Sequence, residues 1–209
     1  MINKKKAGRP VGTTGKARAI TDKELNAVIA VTESSRHAVR NIAMLVLSNY
    51  LGLRAKEISL LKVSDVYDAK ANVTVKTLRL YAHYTKGGTT SREISLEHKR
   101  VTAALERYIF YRQKTDGVAF NVQAPLFRSQ RGKSFSPNAV ARLFINLYSE
   151  AGIEHASSHT GRRSLITRLS ESGVDLFSIA QIAGHRNIST TMTYISANPS
   201  RLRNILMNI

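Results

Sequence analysis

The feature that most constrains the fold is a series of helical segments with recognisable ends, interrupted by one strand-like stretch. Residues 36–53 read RHAVRNIAMLVLSNYLGL, with apolar residues at helical spacing and Gly52 as a stop signal. Residues 21–31 begin with Thr21, and Glu24 follows three positions later, which is the pattern of a capping box. These signals predict two successive helices near the start of the chain.

The remaining helical patterns follow the same rules. The stretch 136–152 offers Ser136 as an N-cap, Pro137 at the first helical position and Gly152 at the end. Other helices are predicted in AKEISLLK, VTAALERYIFYRQK, TGRRSLITRLSESG, DLFSIAQIAG and STTMTYISA. Residues 72–96 are rich in Val, Thr and Tyr and partly alternate around a GG pair, which predicts antiparallel strands. The expected fold is mainly α with a small antiparallel β-sheet (α+β).

Charge indicates the class of partner. Lys and Arg number 32 against 14 Asp and Glu, which gives a formal charge of +18 and a pI near 10.5. Such an excess is typical of proteins that bind nucleic acid, because basic groups displace the counterions of a phosphate lattice. The absence of Cys excludes disulfides and thiolate metal sites. No apolar run reaches about 18 residues, and the N-terminus lacks the apolar core of a signal peptide, so we expect a cytoplasmic protein without a membrane partner.

Residues 1–20 are basic and lack periodicity, so we expect a flexible basic arm. Its GRP core resembles an AT-hook, but Ala7 stands where a hook carries Arg, and non-specific contact with phosphates is the favoured interpretation. The candidate DNA-binding residues of this arm are Lys4, Lys5, Lys6, Arg9, Lys16 and Arg18.

Two stretches place cations where they can hold an anion. Arg54 follows the helix stop and opens a new helix, whose N–H groups favour an anion. His159 and Arg162 are three residues apart, so on a helix they share one face. We expect Ser157, Ser158 or Thr160 to cap that helix. A proton donor beside a guanidinium suits a phosphate whose charge rises in its transition state, although Arg54 alone is also typical of an ordinary surface residue.

Two further stretches carry groups able to donate protons or attack. Lys86 stands beside the GG pair of the predicted hairpin, where a solvated lysine is the ordinary interpretation. His185 follows the helix-ending Gly184, and Tyr194 lies in the next predicted helix, where a tyrosine most often belongs to the core. His155 and His159 have the spacing of a metal-ligand pair, but no Glu sits beside His155 on the side toward His159 and no Cys exists to complete a set, so we predict neither metal nor cofactor.

Taken together, the order Arg, Lys, His-x-x-Arg, His, Tyr resembles the catalytic domain of the tyrosine recombinase (phage integrase) family. The resemblance covers about residues 21–200 and is carried by GLRAKEISLLKVSDV, HTGRR and GHRNISTTMTY. It implies the tyrosine recombinase catalytic-domain fold. Arg54 and Arg162 would clamp the scissile phosphate, and His159 and His185 would bond its non-bridging oxygens and assist proton transfer. Glu57 would orient this site.

The resemblance also implies the chemistry. Lys86 would protonate the leaving 5′-oxygen, and Tyr194 would be the nucleophile that forms a 3′-phosphotyrosyl link. The expected activity is site-specific recombination of the integrase or invertase type through a Holliday junction. The expected partners are double-stranded DNA with inverted half-sites, further copies of the chain in a tetramer on DNA, and an accessory DNA-bending protein.

The sequence departs from the family pattern in two respects. Gly161 and Arg163 stand where relatives usually carry a hydrophobic residue and often a His. Only about twenty residues precede the catalytic domain, so the chain resembles compact members such as the invertases that switch fimbrial genes; a required partner and a fragment are the alternatives. We expect three parts: the arm 1–20, the catalytic domain 21–200, and a tail 201–209 that docks on a neighbouring protomer or packs on its own domain.

Other functions remain open from the sequence. Residues 175–195 also resemble a helix-turn-helix, which would suit a non-catalytic DNA-binding regulator. That interpretation leaves Arg54, Lys86 and the pair His159 and Arg162 without a role. A silent recombination accessory protein and a type IB-like topoisomerase are further alternatives.

Overall fold

The computed structural model describes residues 17–84, 91–130 and 132–193, together with Met207. In these ranges the helices are α1 (Asp22–Glu33), α2 (Ala38–Leu51), α3 (Ala55–Leu60), α4 (Lys99–Asp116), α5 (Pro137–Glu150), α6 (Thr160–Glu171), α7 (Leu176–Ala183) and α8 (Ile188–Met192). The strands are β1 (Tyr67–Asp68), β2 (Val73–Thr74), β3 (Thr77–Leu80) and β4 (Arg92–Ser95). The mainly helical fold with small antiparallel pairing is confirmed.

Helix α2 is the centre of the molecule, and most of its residues are buried. It packs against α1, α4 and α6, while α3 packs against α5. A smaller apolar cluster between α6 and α7 contains Ile166, Ile179 and Ala183. None of the described helices is both long enough and apolar enough to cross a bilayer.

The helix ends follow the sequence signals. Thr21 and Glu24 form the predicted capping box of α1. Ser136 accepts the N–H of Ala139 and caps α5, with Pro137 at its first position. Gly52 ends α2 in the left-handed conformation, with φ of 64°, which costs glycine little because it lacks a Cβ.

The strands differ from the prediction in their grouping. β3 pairs with β4 in the register Thr77↔Ser95 to Leu80↔Arg92, whereas β2 pairs with β1, which lies before the predicted region. The result is two separate two-stranded sheets instead of one. The Asp68 carboxylate accepts the N–H groups of Lys70 and Ala71, so an Asp-centred turn closes the first sheet locally. The GG pair lies outside the described residues.

Gly161, which stands where members of the resembled family usually carry a hydrophobic residue, is required for a steric reason. A Cβ at this position would lie 2.5 Å from Ser48 Oγ and 2.9 Å from the backbone carbon of Ser48 on α2. Both distances are too short for real contacts, so glycine permits the close approach of α6 to α2.

We expect Gly161→Ala to lower the free energy of unfolding by about 1–3 kcal/mol through overpacking, although alanine is intrinsically the better helix former. Chemical denaturation measures the change. Adding Ser48→Ala removes the Oγ atom and should recover only part of the loss, because the Ser48 backbone carbon also blocks the space. A stability equal to or above that of the native protein would contradict the steric explanation.

Candidate active site

Arg54 stands at the N-cap of α3, directly after the α2 corner. Its Nη1 donates to Glu57 Oε1 at 2.8 Å, and its Nη2 donates to the carbonyl of Gly184 at 3.2 Å. The Glu57 carboxylate also accepts the Arg54 backbone N–H at 2.8 Å. The side chain of Arg54 retains 19% exposure, so it is held in place while remaining accessible to an anion.

Arg162, the third residue of α6, is 1% exposed. Its Nη1 donates to the carbonyl of Gly52 at 2.8 Å, and its Nη2 donates to the carbonyl of Ala183. Arg54 and Arg162 therefore both reach the end of α7, and the structure brings together two arginines that lie more than 100 residues apart in the chain.

His185 follows Gly184, the left-handed residue that ends α7. Its Nδ1 shares a hydrogen bond of 2.8 Å with the hydroxyl of Thr191 on α8. Burial, together with the positive charges of Arg162, Arg54 and Arg92, lowers the pKa of His185 to about 3. The imidazole is therefore neutral at physiological pH, and the surroundings carry the positive charge.

His159 is the N-cap residue of α6 and is exposed. The prediction that Ser157, Ser158 or Thr160 is the N-cap of α6 is wrong, because His159 occupies that position. The Ser157 hydroxyl accepts the N–H of His159, and the Thr160 hydroxyl accepts the N–H of Ser157. These hydroxyls organise the turn before the helix, because Thr160 is already helical.

Arg92 is a member of this cluster that sequence reasoning missed. Its two terminal nitrogens bond the two oxygens of the fully buried Glu57, each at 3.1 Å. A Cβ at Gly184 would lie 2.9 Å from Arg92 Cδ, so the Arg92 side chain packs directly against the backbone at the C-terminal end of α7. The signal in the sequence is the alternation in β4, where Arg92 and Ile94 share the less exposed face.

Of the other predicted site and arm residues, some lie outside the described ranges and some lie within them. Lys86, Tyr194 and the arm cations Lys4, Lys5, Lys6, Arg9 and Lys16 lie outside the described residues. Arg18 is described and forms an ion pair with Glu24, and Ile20 is buried, with its N–H bonded to Ser164 Oγ at 2.8 Å. The last residues of the predicted arm therefore contact the domain.

Within residues 17–84, 91–130 and 132–193, no cluster of three His, Asp or Glu side chains could hold a metal ion. The cluster at the end of α7 is cationic and presents guanidinium groups, which suit an oxyanion.

We expect NMR titration of the His185 ring to give a pKa near 3, and Arg54→Gln to raise it because one nearby positive charge is lost. Arg79→Gln, an exposed position on β3, is the control and should leave the pKa of His185 unchanged. Because folding lowers this pKa, the contribution of His185 to stability is complete above its unfolded pKa of about 6.5 and is lost as the pH falls toward 3. A native His185 that titrates near its unfolded pKa would contradict the electrostatic description.

Comparison with known proteins gives the relatives of this chain. It is 30% identical over 175 residues to the tyrosine recombinase XerC of Pelobacter propionicus, which covers 83% of this chain and 53% of the relative. It is 31% identical over 193 residues to the XerC of Rhizobium meliloti, covering 90% and 56%. The chain thus spans about half the length of these curated relatives.

Solved structures agree in fold. The crystal structure of XerA recombinase aligns with a TM-score of 0.72 at 27% identity, over 91% of this chain and 64% of that one. The XerH site-specific recombinase bound to palindromic difH substrate aligns with a TM-score of 0.68 at 19% identity, over 90% of this chain and 51% of that one. The model of the phage integrase family matches residues 18–201, and the chain therefore belongs to the phage integrase family.

Proposed function

We propose that the chain is a tyrosine-type site-specific DNA recombinase acting in the cytoplasm. The observation that carries the proposal is the convergence of Arg54, Arg162 and His185 at the end of α7. Three separate segments of sequence supply cations and a neutral imidazole to one place, as the transfer of a phosphoryl group between two oxygens requires. The named recombinases among the relatives support the same activity.

The two guanidinium groups bind the scissile phosphate in this proposal. Each planar guanidinium can offer paired N–H groups to the non-bridging oxygens. Negative charge grows on those oxygens in the transition state, so fixed cations in a partly buried site lower its free energy. Glu57 and Arg92 position Arg54, since the Glu57 carboxylate lies between the two guanidinium groups.

His185 acts as a neutral hydrogen-bond donor. When Nδ1 accepts the Thr191 hydroxyl, Nε2 carries the proton and can donate to a phosphate oxygen. His159, at the exposed start of α6, is the second imidazole of the site. The lowered pKa of His185 means that it adds no further positive charge to the resting site.

The residues outside the described ranges complete the reaction. The Tyr194 oxygen attacks phosphorus, its phenolic proton passes to the His159 imidazole, and the bond from phosphorus to the 5′-oxygen breaks. The Lys86 ammonium gives its proton to that 5′-oxygen. The 3′-phosphotyrosyl bond retains the energy of the phosphodiester, so a 5′-hydroxyl from another strand can reverse the step and exchange the strands.

Assembly on DNA follows from the same proposal. Strand exchange needs inverted half-sites and a tetramer, with an accessory protein where the DNA must bend. The tail 201–209 docks on a neighbouring protomer and, apart from Met207, lies outside the described residues. The basic arm adds contacts with phosphates that salt weakens.

We expect covalent capture to identify the nucleophile and the target together. The protein is incubated with sheared DNA of its host and quenched with detergent, and the ends attached to protein are sequenced. Native protein should give adducts clustered at an inverted repeat, while Tyr194→Phe should bind DNA and give none. Absence of adducts from a native protein that still binds DNA would favour the regulatory or accessory alternatives.

We expect Lys86→Ala to slow cleavage at the captured site by about 10²–10⁴, the usual contribution of a general acid. Replacing the scissile 5′-oxygen with sulfur should restore most of the rate, because a thiolate leaves without protonation. Arg54→Ala is the matched control and should stay slow on both substrates, since it removes a cation that binds the phosphate while Glu57 keeps its ion pair with Arg92. A lysine variant that the sulfur substrate does not rescue would refute the assignment of Lys86.

A further inference from the structure

A second cationic cavity lies at the opposite end of α2 from the candidate active site. It has a volume of about 280 Å³ and is lined by the turn before α2, the second half of α4 and the segment after Phe127. None of its lining residues belongs to the Arg54, Arg162 and His185 cluster. Since α2 has 14 residues, the two sites are separated by about 21 Å along its axis.

The lining of this cavity carries four arginines and one aspartate: Arg36, Arg40, Arg112, Arg128 and Asp116. Asp116 pairs with Arg112 at 2.8 Å and with Arg128 at 3.0 Å. Its carboxylate is therefore shared by two guanidinium groups, and the cavity keeps an excess of positive charge.

Arg40 is the least compensated of these cations. It is 9% exposed, yet among the described residues its guanidinium bonds only the Asn41 side chain, at 3.1 and 3.0 Å, and the Arg128 carbonyl at 2.9 Å. Its ζ-carbon also lies 4.8 Å from the centre of the Phe135 ring. A buried charge usually has an ionic partner, and no carboxylate from the described ranges bonds this one.

Two buried polar atoms of the turn before α2 also lack a hydrogen-bond partner among the described residues. Ser35 Oγ and His37 Nε2 are buried and find no hydrogen-bond partner within the described part of the chain. Both residues line the cavity. Burial, followed by the charges of Arg40 and Arg36, lowers the pKa of His37, so its ring is neutral and able to donate one hydrogen bond. The first N–H groups of α2 begin at the same turn and add positive potential.

We propose that this cavity binds a phosphate-type oxyanion. A group of that class supplies the charge that Arg40 and Arg36 lack and acceptors for Ser35 and His37. The cavity exceeds the roughly 30 Å³ share of one water molecule by enough to admit it. The chemistry is shared by a backbone phosphate of DNA and by a free phosphate group, and the experiment separates these two sources.

Inorganic phosphate is titrated into the full chain at constant ionic strength while backbone amides are followed by NMR. We expect saturable shifts at residues 35–40 and 128–130. Arg36→Ala should weaken the affinity about tenfold through loss of one charge-assisted hydrogen bond. Lys70→Ala, which removes an exposed cation from the turn between β1 and β2, should leave it unchanged.

Arg36 is exposed, so its replacement should preserve the fold, and the same spectra report whether it does. Absence of saturable shifts at the cavity, or equal affinity in Arg36→Ala and native protein, would overturn the proposal and leave a water-filled structural cavity.

Binding of duplex DNA then identifies the source of the anion. If a DNA phosphate occupies the cavity, Arg36→Ala reduces by about one the magnitude of the slope of log affinity for duplex against log salt concentration. Added duplex then also abolishes the chemical-shift changes caused by phosphate. If the ligand is a free phosphate group, the slope is unchanged and the shifts survive saturation with duplex. Both results are independent of Tyr194 chemistry, so they stand whether or not the chain cleaves DNA.

Discussion

The buried guanidinium of Arg162 is the interaction on which the arrangement of the helices depends. A charge at 1% exposure costs several kcal/mol unless its hydrogen bonds are satisfied. Its hydrogen-bond acceptors include the carbonyls of Gly52 and Ala183, at the ends of α2 and α7. Terminal helix carbonyls lack partners within their own helix and carry the negative end of its dipole. One cation on α6 thus satisfies both ends and fixes three helices relative to one another.

The cluster of Arg54, Arg92, Arg162, Glu57 and His185 carries an excess of positive charge. Glu57 is shared between Arg54 and Arg92, and His185 remains neutral because its neighbours already carry the charge. The fold therefore holds the positive charges of Arg54, Arg92 and Arg162 close together. In the proposed function a phosphate that binds there would reduce the repulsion between these cations and would stabilise the folded state by mass action.

Local signals allowed much of this architecture to be predicted. The capping box at Thr21 and Glu24, the stop at Gly52 and the helix after Arg54 each depend on residues within a few positions. That the segments of Arg54, Arg162 and His185 converge was implied by the family resemblance. The alternation in β4 places Arg92 on the less exposed face, but local signals could not predict its contact with Glu57, which spans 35 residues.

The same limit applies to the packing around Gly161, whereas the division of the strands has another cause. The space at Gly161 is filled by Ser48, which lies on a different helix. The strand pattern predicted pairing but not its division, because the turn at Asp68 joins β2 to a strand of only two residues. At Gly161 the deciding contact is tertiary, whereas the turn at Asp68 is local and the strand before it is too short to show an alternating pattern.

Helix α8 has a dynamic consequence. It contains only the five residues ISTTM, too few for a helix to persist without tertiary contacts. Its attachments include the buried Thr191 and the hydrogen bond to His185, while Ile188 and Met192 stay exposed. Local opening of such a segment requires far less free energy than global unfolding. We therefore expect α8 to open locally more easily than the buried α2, which would give the segment that leads to Tyr194 a freedom that Arg54 and Arg162 lack.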